Sequence, residues 1–251
     1  MGTSASSRGN NDRQPLVPSW ADDEPDKKLP TPEPQRFRAF RTAFGKALAS
    51  GSDKAGLRTA LGHYARTSTG GSTVGPRRFG PAYTAGGGMY SALRGVAQGI
   101  AVPGLDTSSF IGKSTDYFAQ VLGQFLAGDT ADADRINAAV QEAVATVLDL
   151  EANFDPSQLT DDVIDSLLSE FMSLTIFQAI VEEAGGAWDR SDEEKKNADC
   201  ERNLLDLIRV VVDKSLQERL KSGTTGFTQD QIKSFMREAT TKAWTEWEDE
   251  Q

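Results

Sequence analysis

The chain has one cysteine, Cys200, and one histidine, His63, in 251 residues. A single thiol cannot close a disulfide within the chain, and one thiol with one imidazole cannot supply the three or four ligands of a Cys/His zinc site. No metal site and no cofactor are expected. Cys200 lies in NADCERNLLDLI beside a helical apolar stripe, which favours a packed thiol over a reactive one. His63, in ALGHYART, has no matching nucleophile, so a surface or hydrogen-bonded role is favoured over catalysis. Long apolar runs are also lacking. The stretch ending at Val212 is broken by Arg209 and Asp213, short of the roughly 20 residues that cross a bilayer. The first residues carry no basic flank followed by an apolar block. A soluble, cytoplasmic protein without a membrane segment is the expectation. Alternating strand patterns and internal repeats are absent as well.

Acidic residues are missing from one long region, between Asp53 and Asp106, which holds Lys54, Arg58, Arg66, Arg77, Arg78 and Arg94. Residues 1–98 hold 14 Lys/Arg against 7 Asp/Glu, a net of +7, whereas residues 99–251 hold 13 against 30, a net of −17. A basic stretch of this kind needs an anionic neighbour or solvent. Arg66, Arg77 and Arg78 are candidate contacts for an anion or a partner. With Phe79, Tyr83 and Tyr90 nearby, nucleic acid is one candidate; the acidic helical part of the same chain is the competing one.

What is present is mainly helical periodicity. Phe37, Phe40, Phe44 and Leu48 predict a helix ending at Ser50-Gly51, and Leu57, Leu61 and Tyr64 a second one capped by Ser52. Residues 67–88 hold too many glycines for regular structure and read as a basic Gly-rich loop before a helix around Met89, Leu93 and Val96. Amphipathic helices follow at Phe118–Phe125, Ile136–Leu148 and Val163–Ile180. Ser191 with Glu194, and Thr228 with Gln231, form capping-box patterns before two more, and Gly223 ends the first of these. The expected class is mainly α and bundle-like. Its parts are a flexible Pro/Ser-rich arm at 1–34, a basic helical and Gly-rich region at 35–104 and an acidic helical domain at 105–251. Within the arm, Leu16, Val17 and Trp20 among prolines read as a segment that docks on another protein.

No catalytic residue is expected. FIGKST at 110–115 has the lysine and hydroxyl of a phosphate loop, but Thr107 stands where that motif needs glycine. Gly86–Gly88 lack the staggered spacing of a dinucleotide fingerprint. Asp161 with Asp162, and Glu193 with Glu194, belong to first helical turns, where negative charge favours the helix. The beginning of the sequence is more informative. Removal of Met1 from Met1-Gly2-Thr3-Ser4 exposes a glycine amine with little steric cover, able to enter another enzyme's pocket. MGTSAS also satisfies an N-myristoylation pattern through Ser6, although a single acyl chain binds membranes weakly.

MGTS at 1–4, PLVPSW at 15–20, LGHYARTSTGG at 61–71 and RRFG at 77–80 resemble the QatB family of the bacterial Qat anti-phage defence system. The order of the whole chain is compatible, and the distinctive words lie in its N-terminal third. The resemblance implies a setting: an ATPase, QatB, a QueC-like enzyme (QatC) and a TatD-like nuclease. QueC-like enzymes activate a 7-deazaguanine carboxylate with ATP, and their defence relatives join it to a protein N-terminus. That makes Gly2 the implied acceptor, with Thr3 and Ser4 beside it, and makes the chain a non-enzymatic partner. A nucleic-acid-binding module using the stretch from Lys54 to Arg94 is the alternative.

Overall fold

The computed structural model describes residues 14–190, 194–220 and 226–250. Among them are eight α-helices and no strand: α1 (Arg38–Ala49), α2 (Lys54–His63), α3 (Gly80–Ala97), α4 (Thr115–Ala127), α5 (Ala133–Val147), α6 (Asp161–Ala184), α7 (Glu194–Leu220) and α8 (Gln229–Asp249). The mainly α class is what the periodicity predicts. Gly2, Thr3, Ser4, Ser191 and Gly223 lie outside the described residues.

The chain forms two compact units. One comprises Met1–Arg78, Ile176–Val211 and Thr240–Gln251; the other comprises Phe79–Thr175 and Val212–Ala239. Each interleaves segments of the basic and acidic parts. The first unit buries Phe40, Phe44, Leu48, Leu57, Leu61, Tyr64, Ile180, Leu204, Ile208 and Trp244. Phe40 meets Tyr64 with ring centroids 5.1 Å apart, and Phe44 meets Trp188 edge-on at 4.8 Å. In the second, Phe110, Phe118 and Phe154 cluster, the last two stacked at 3.9 Å. Leu122, Ile136, Val140, Val144, Ile164, Leu168 and Phe171 are buried there too.

Local chemistry explains several helix ends. Gly51, at φ +94, supplies the left-handed turn after α1. Asp53 caps α2, accepting from the backbone N–H groups of Ala55 and Gly56. This corrects the expectation for Ser52, which is buried and donates to the Lys196 carbonyl at 3.1 Å. The Thr228–Gln231 box forms reciprocally: Thr228 N–H donates to Gln231 Oε1 at 2.9 Å, and Gln231 N–H to Thr228 Oγ1 at 3.2 Å.

Two expectations are corrected in extent. The Gly-rich loop was predicted through residue 88, but α3 begins at Gly80, with Pro81 in its first turn. The glycines serve close packing within the second unit. A Cβ on Gly87 would stand 2.7 Å from the Gln229 carbonyl oxygen, and one on Gly86 would collide with the Met236 sulfur. The packing this allows outweighs a propensity cost of about 1 kcal/mol per glycine. Residues 14–34 also fail to behave as an arm that buries little, because Leu16, Val17 and Ala21 are buried.

Among the described residues one helical stretch, Asp161–Trp188, is long and apolar enough by length and composition to cross a membrane, with a mean hydropathy of 1.4 in its best window. The sequence reading missed it. Its apolar residues are core: Ile164, Leu167, Phe171 and Leu174 in the second unit, Ile176 and Ile180 in the first.

Ile208 is fully buried on α7. Ile208→Asp places an unpaired charge there and is expected to cost on the order of several kcal/mol. A thermal melt of the variant checks this: a large fall in Tm is expected, and an unchanged Tm contradicts the placement.

Candidate functional site

Residues 15–27 form short turns of their own, and arginines from elsewhere in the first unit add further hydrogen bonds. Arg36 donates to the Pro15 carbonyl at 3.3 Å, and Arg78 to the Leu16 carbonyl at 3.1 Å. Arg77 forks onto the Asp22 carboxylate at 2.9 and 2.6 Å and donates to the Glu24 and Lys27 carbonyls, each at 2.8 Å. Asp23 N–H in turn donates to the Arg77 carbonyl at 3.0 Å. Beneath this net, Leu16 and Val17 pack with Val74 and partly with Leu29.

Arg78 is buried and carries an ion pair with α6. Its guanidinium donates to both Glu183 oxygens at 2.9 and 2.8 Å and to the Tyr64 hydroxyl at 3.2 Å, with side-chain exposures of 8% for Arg78 and 4% for Glu183. Burial alone pulls the Arg78 pKa down, but the Glu183 charge, Tyr64 and their hydrogen bonds carry it above its ordinary value. Tyr64 is pushed well above the usual phenol range by burial and by the Glu183 charge. Arg77 is raised through its hydrogen bonds to Asp22. All three side chains therefore keep fixed charge states and serve as structural polar groups.

Three of the four distinctive sequence words meet here, and the fourth, MGTS, lies outside the described residues. PLVPSW supplies the carbonyls and apolar anchors, LGHYARTSTGG supplies Tyr64, and Arg77 and Arg78 come from RRFG. Ser68 donates to the Arg36 carbonyl at 3.0 Å, and Thr69 accepts from Trp244 Nε1 at 2.8 Å.

Several candidates change role accordingly. Leu16 and Val17, read as partner-binding, are core residues of their own chain; Trp20, the third of that set, is 51% exposed. Arg77 and Arg78, read as contacts for an external anion, are buried in internal pairs. Arg66 is exposed but donates to the Glu248 and Glu250 carbonyls. Lys54 pairs with Asp206 at 3.5 Å and Arg58 with Glu250 at 3.6 Å, and Arg94 pairs with Asp161. The chain itself supplies the partners of the basic stretch: Asp22 for Arg77, and carboxylates of the acidic part for Lys54, Arg58, Arg78 and Arg94.

Residues weighed for chemistry have structural duties. Ser114 of FIGKST caps α4, accepting from Tyr117 N–H at 3.2 Å. Burial pushes the Cys200 thiol up to about 11, partly offset by a hydrogen bond with Ser52. His63 titrates below its ordinary value through burial and the nearby Arg66 charge. Among the described residues no His/Cys/Asp/Glu group is arranged to hold a metal ion. Asp165, which the sequence reading missed, has its carboxyl raised to about 6, by burial first and then by the Asp161 and Asp162 charges. Its signal was visible in principle: three carboxylates at i, i+1 and i+4 of one helix start.

A family model described as "Qat anti-phage system associated protein QatB" matches residues 70–247, most of the chain; residues 1–69 fall outside the match. No curated protein matches, and no solved structure matches.

Three outcomes are expected. Glu183→Ala leaves the Arg78 charge buried without its carboxylate and should lower unfolding free energy by about 3–5 kcal/mol, read from urea titration; in the Arg78→Leu background the same change should cost much less. Cys200 should react with a thiol reagent far more slowly in the native chain than after unfolding, with comparable rates contradicting its burial. Because Asp165 binds its proton more tightly when folded, its contribution is fully present below about pH 4 and lost as pH rises through about 6. Asp165→Asn should therefore stabilise the chain by about 1 kcal/mol at pH 8, the half-exposed site being partly screened, and have little effect at pH 4.

Proposed function

This chain belongs to the QatB family and is a component of the Qat anti-phage defence system, and from that premise we propose that it works as a non-enzymatic partner whose first residues are presented to the system's QueC-like enzyme. Gly2 is the acceptor amine in this reading, with Thr3 and Ser4 entering the enzyme's site beside it. The step forms an amide between the Gly2 nitrogen and the carboxyl carbon of a 7-deazaguanine acid activated by ATP. The activating adenylate leaves, and the amine gives up a proton.

The observation that carries this is the arginine net on residues 15–27. It ties down the chain just downstream of exposed Gln14, so the twelve residues from Gly2 to Arg13 span at most about 40 Å from a fixed point. A tethered amine within that radius has a high effective concentration at a docked enzyme. The partner set is the QueC-like enzyme, the system ATPase and the TatD-like nuclease, in the cytoplasm. Exposed Trp20, within the anchored segment, is the contact residue that this reading gives to the partner enzyme. The nucleic-acid alternative draws on cations that already have internal acidic or carbonyl partners, which weighs against it.

Replacing Gly2 with Leu should retain Met1 and block the amine. Intact-mass analysis of chain co-expressed with the QueC-like enzyme and its precursor supply is expected to show an added deazaguanine mass on the N-terminal peptide of the native sequence and none on Gly2→Leu. Defence against phage should be lost with Tm unchanged. A myristoyl mass, or an unmodified Gly2 with full defence in the variant, overturns the reading.

A further inference from the structure

Next to the arginine net, the first unit has a groove of about 760 Å³ along α1 and α2, whose lining includes Arg36, Arg38, Lys46, His63 and the small residues Ala39 and Ala43. Its one lining carboxylate, Asp53, is occupied capping α2. Along α1, Arg38, Thr42 and Lys46 form one i, i+4, i+8 ridge. Ala39, Ala43 and Ala47 form the parallel shallow furrow. Helices pack by seating such a ridge of one in the furrow of another.

The second unit carries a ridge of opposite charge. On α5, Asp134, Ala138 and Glu142 are all exposed at the same i, i+4, i+8 spacing. With Asp116, Gln141 and Ala145 they line a shallow depression that no cation lines. Arg135, on the same helix, pairs with Asp132 at 2.9 Å. The two ridges match in length, since eight residues rise about 12 Å in either helix. They match in profile too, with charge at both ends and a small side chain between.

We infer that the α1–α2 groove is an interaction surface whose occupant is α5 of a second copy of this chain. The Asp134–Ala138–Glu142 ridge seats in the Ala39–Ala43–Ala47 furrow. With the helices antiparallel, Asp134 faces Lys46 and Glu142 faces Arg38, which also opposes the two helix dipoles favourably. A single helix-on-helix contact lies below about 1,200 Å², the size of transient interfaces. The association is therefore weak and, being steered by exposed charge, sensitive to salt.

Sedimentation velocity of the full chain tests this at about 100 µM, a concentration suited to micromolar affinities. The native sequence should sediment faster than a monomer at about 50 mM salt and return to monomer at about 500 mM, where screening shortens to a few ångströms. Arg38→Glu with Lys46→Glu, and Asp134→Lys with Glu142→Lys, should each be monomeric at low salt. A one-to-one mixture of the two should associate again, because each supplies the charge the other needs. Ala39→Gln, which fills the furrow without changing charge, should also abolish association, and this keeps the test decisive if a charge-reversed variant melts early. A native chain that stays monomeric at low salt, a reversed variant that associates by itself, or a mixture that does not recover overturns the inference, as does a groove filled by some other acidic protein while the chain remains monomeric.

Discussion

A guanidinium as buried as that of Arg78 needs a carboxylate and enough acceptors to replace water. Glu183, from the C-terminal part of α6, supplies the carboxylate, and Tyr64 and the Leu16 carbonyl supply further acceptors. One side chain thus joins three parts of the sequence: the segment that begins at Pro15, the turn after α2 and the end of α6. Removing any one of these partners leaves polar groups stranded in the first unit. Arg77 extends the same device to the surface, converting loose carbonyls at Glu24 and Lys27 into a fixed turn.

This arrangement gives the charge asymmetry of the sequence a physical reason. Several cations of the basic N-terminal third meet carboxylates of the acidic remainder, as Lys54 with Asp206, Arg58 with Glu250 and Arg94 with Asp161 show. Exposed pairs of this kind are each worth little, about 0–1 kcal/mol. Their effect is to remove cations from the pool available to an outside polyanion. Arg38 and Lys46 stay exposed, on a face where small residues leave a furrow.

The helices with plain periodicity were legible in the sequence, because an apolar stripe and a cap are local signals. α1, α4, α5 and α6 fall where the pattern puts them, and the Thr228–Gln231 box forms as written. α3 was not legible through its first half, since glycine reads as loop unless the close approach of Gln229 and Met236 is known. The anchored segment was hidden for a related reason: Leu16, Val17 and Ala21 are too few to announce a core, and their partners lie tens of residues away. At the candidate site, the residue types were legible and their roles were not. Arg77 and Arg78 stood out as cations, but a sequence does not say that Asp22 and Glu183 will meet them. Gly2 rests on the family resemblance and on chemistry, beyond the described residues.

Arginines fix the segment from Pro15 to Lys27, and under the proposed function this sets the point from which the first residues are presented. Hydrogen–deuterium exchange by mass spectrometry measures this directly, comparing peptides over residues 15–29 in the native chain and in Arg77→Leu with Arg78→Leu. The account predicts strong protection at Ala21, Asp23 and Lys27 in the native chain and its loss in the variant, with peptides from α4 and α5 unchanged. Exchange of these amides in the native chain at the rate of an unstructured peptide would contradict it.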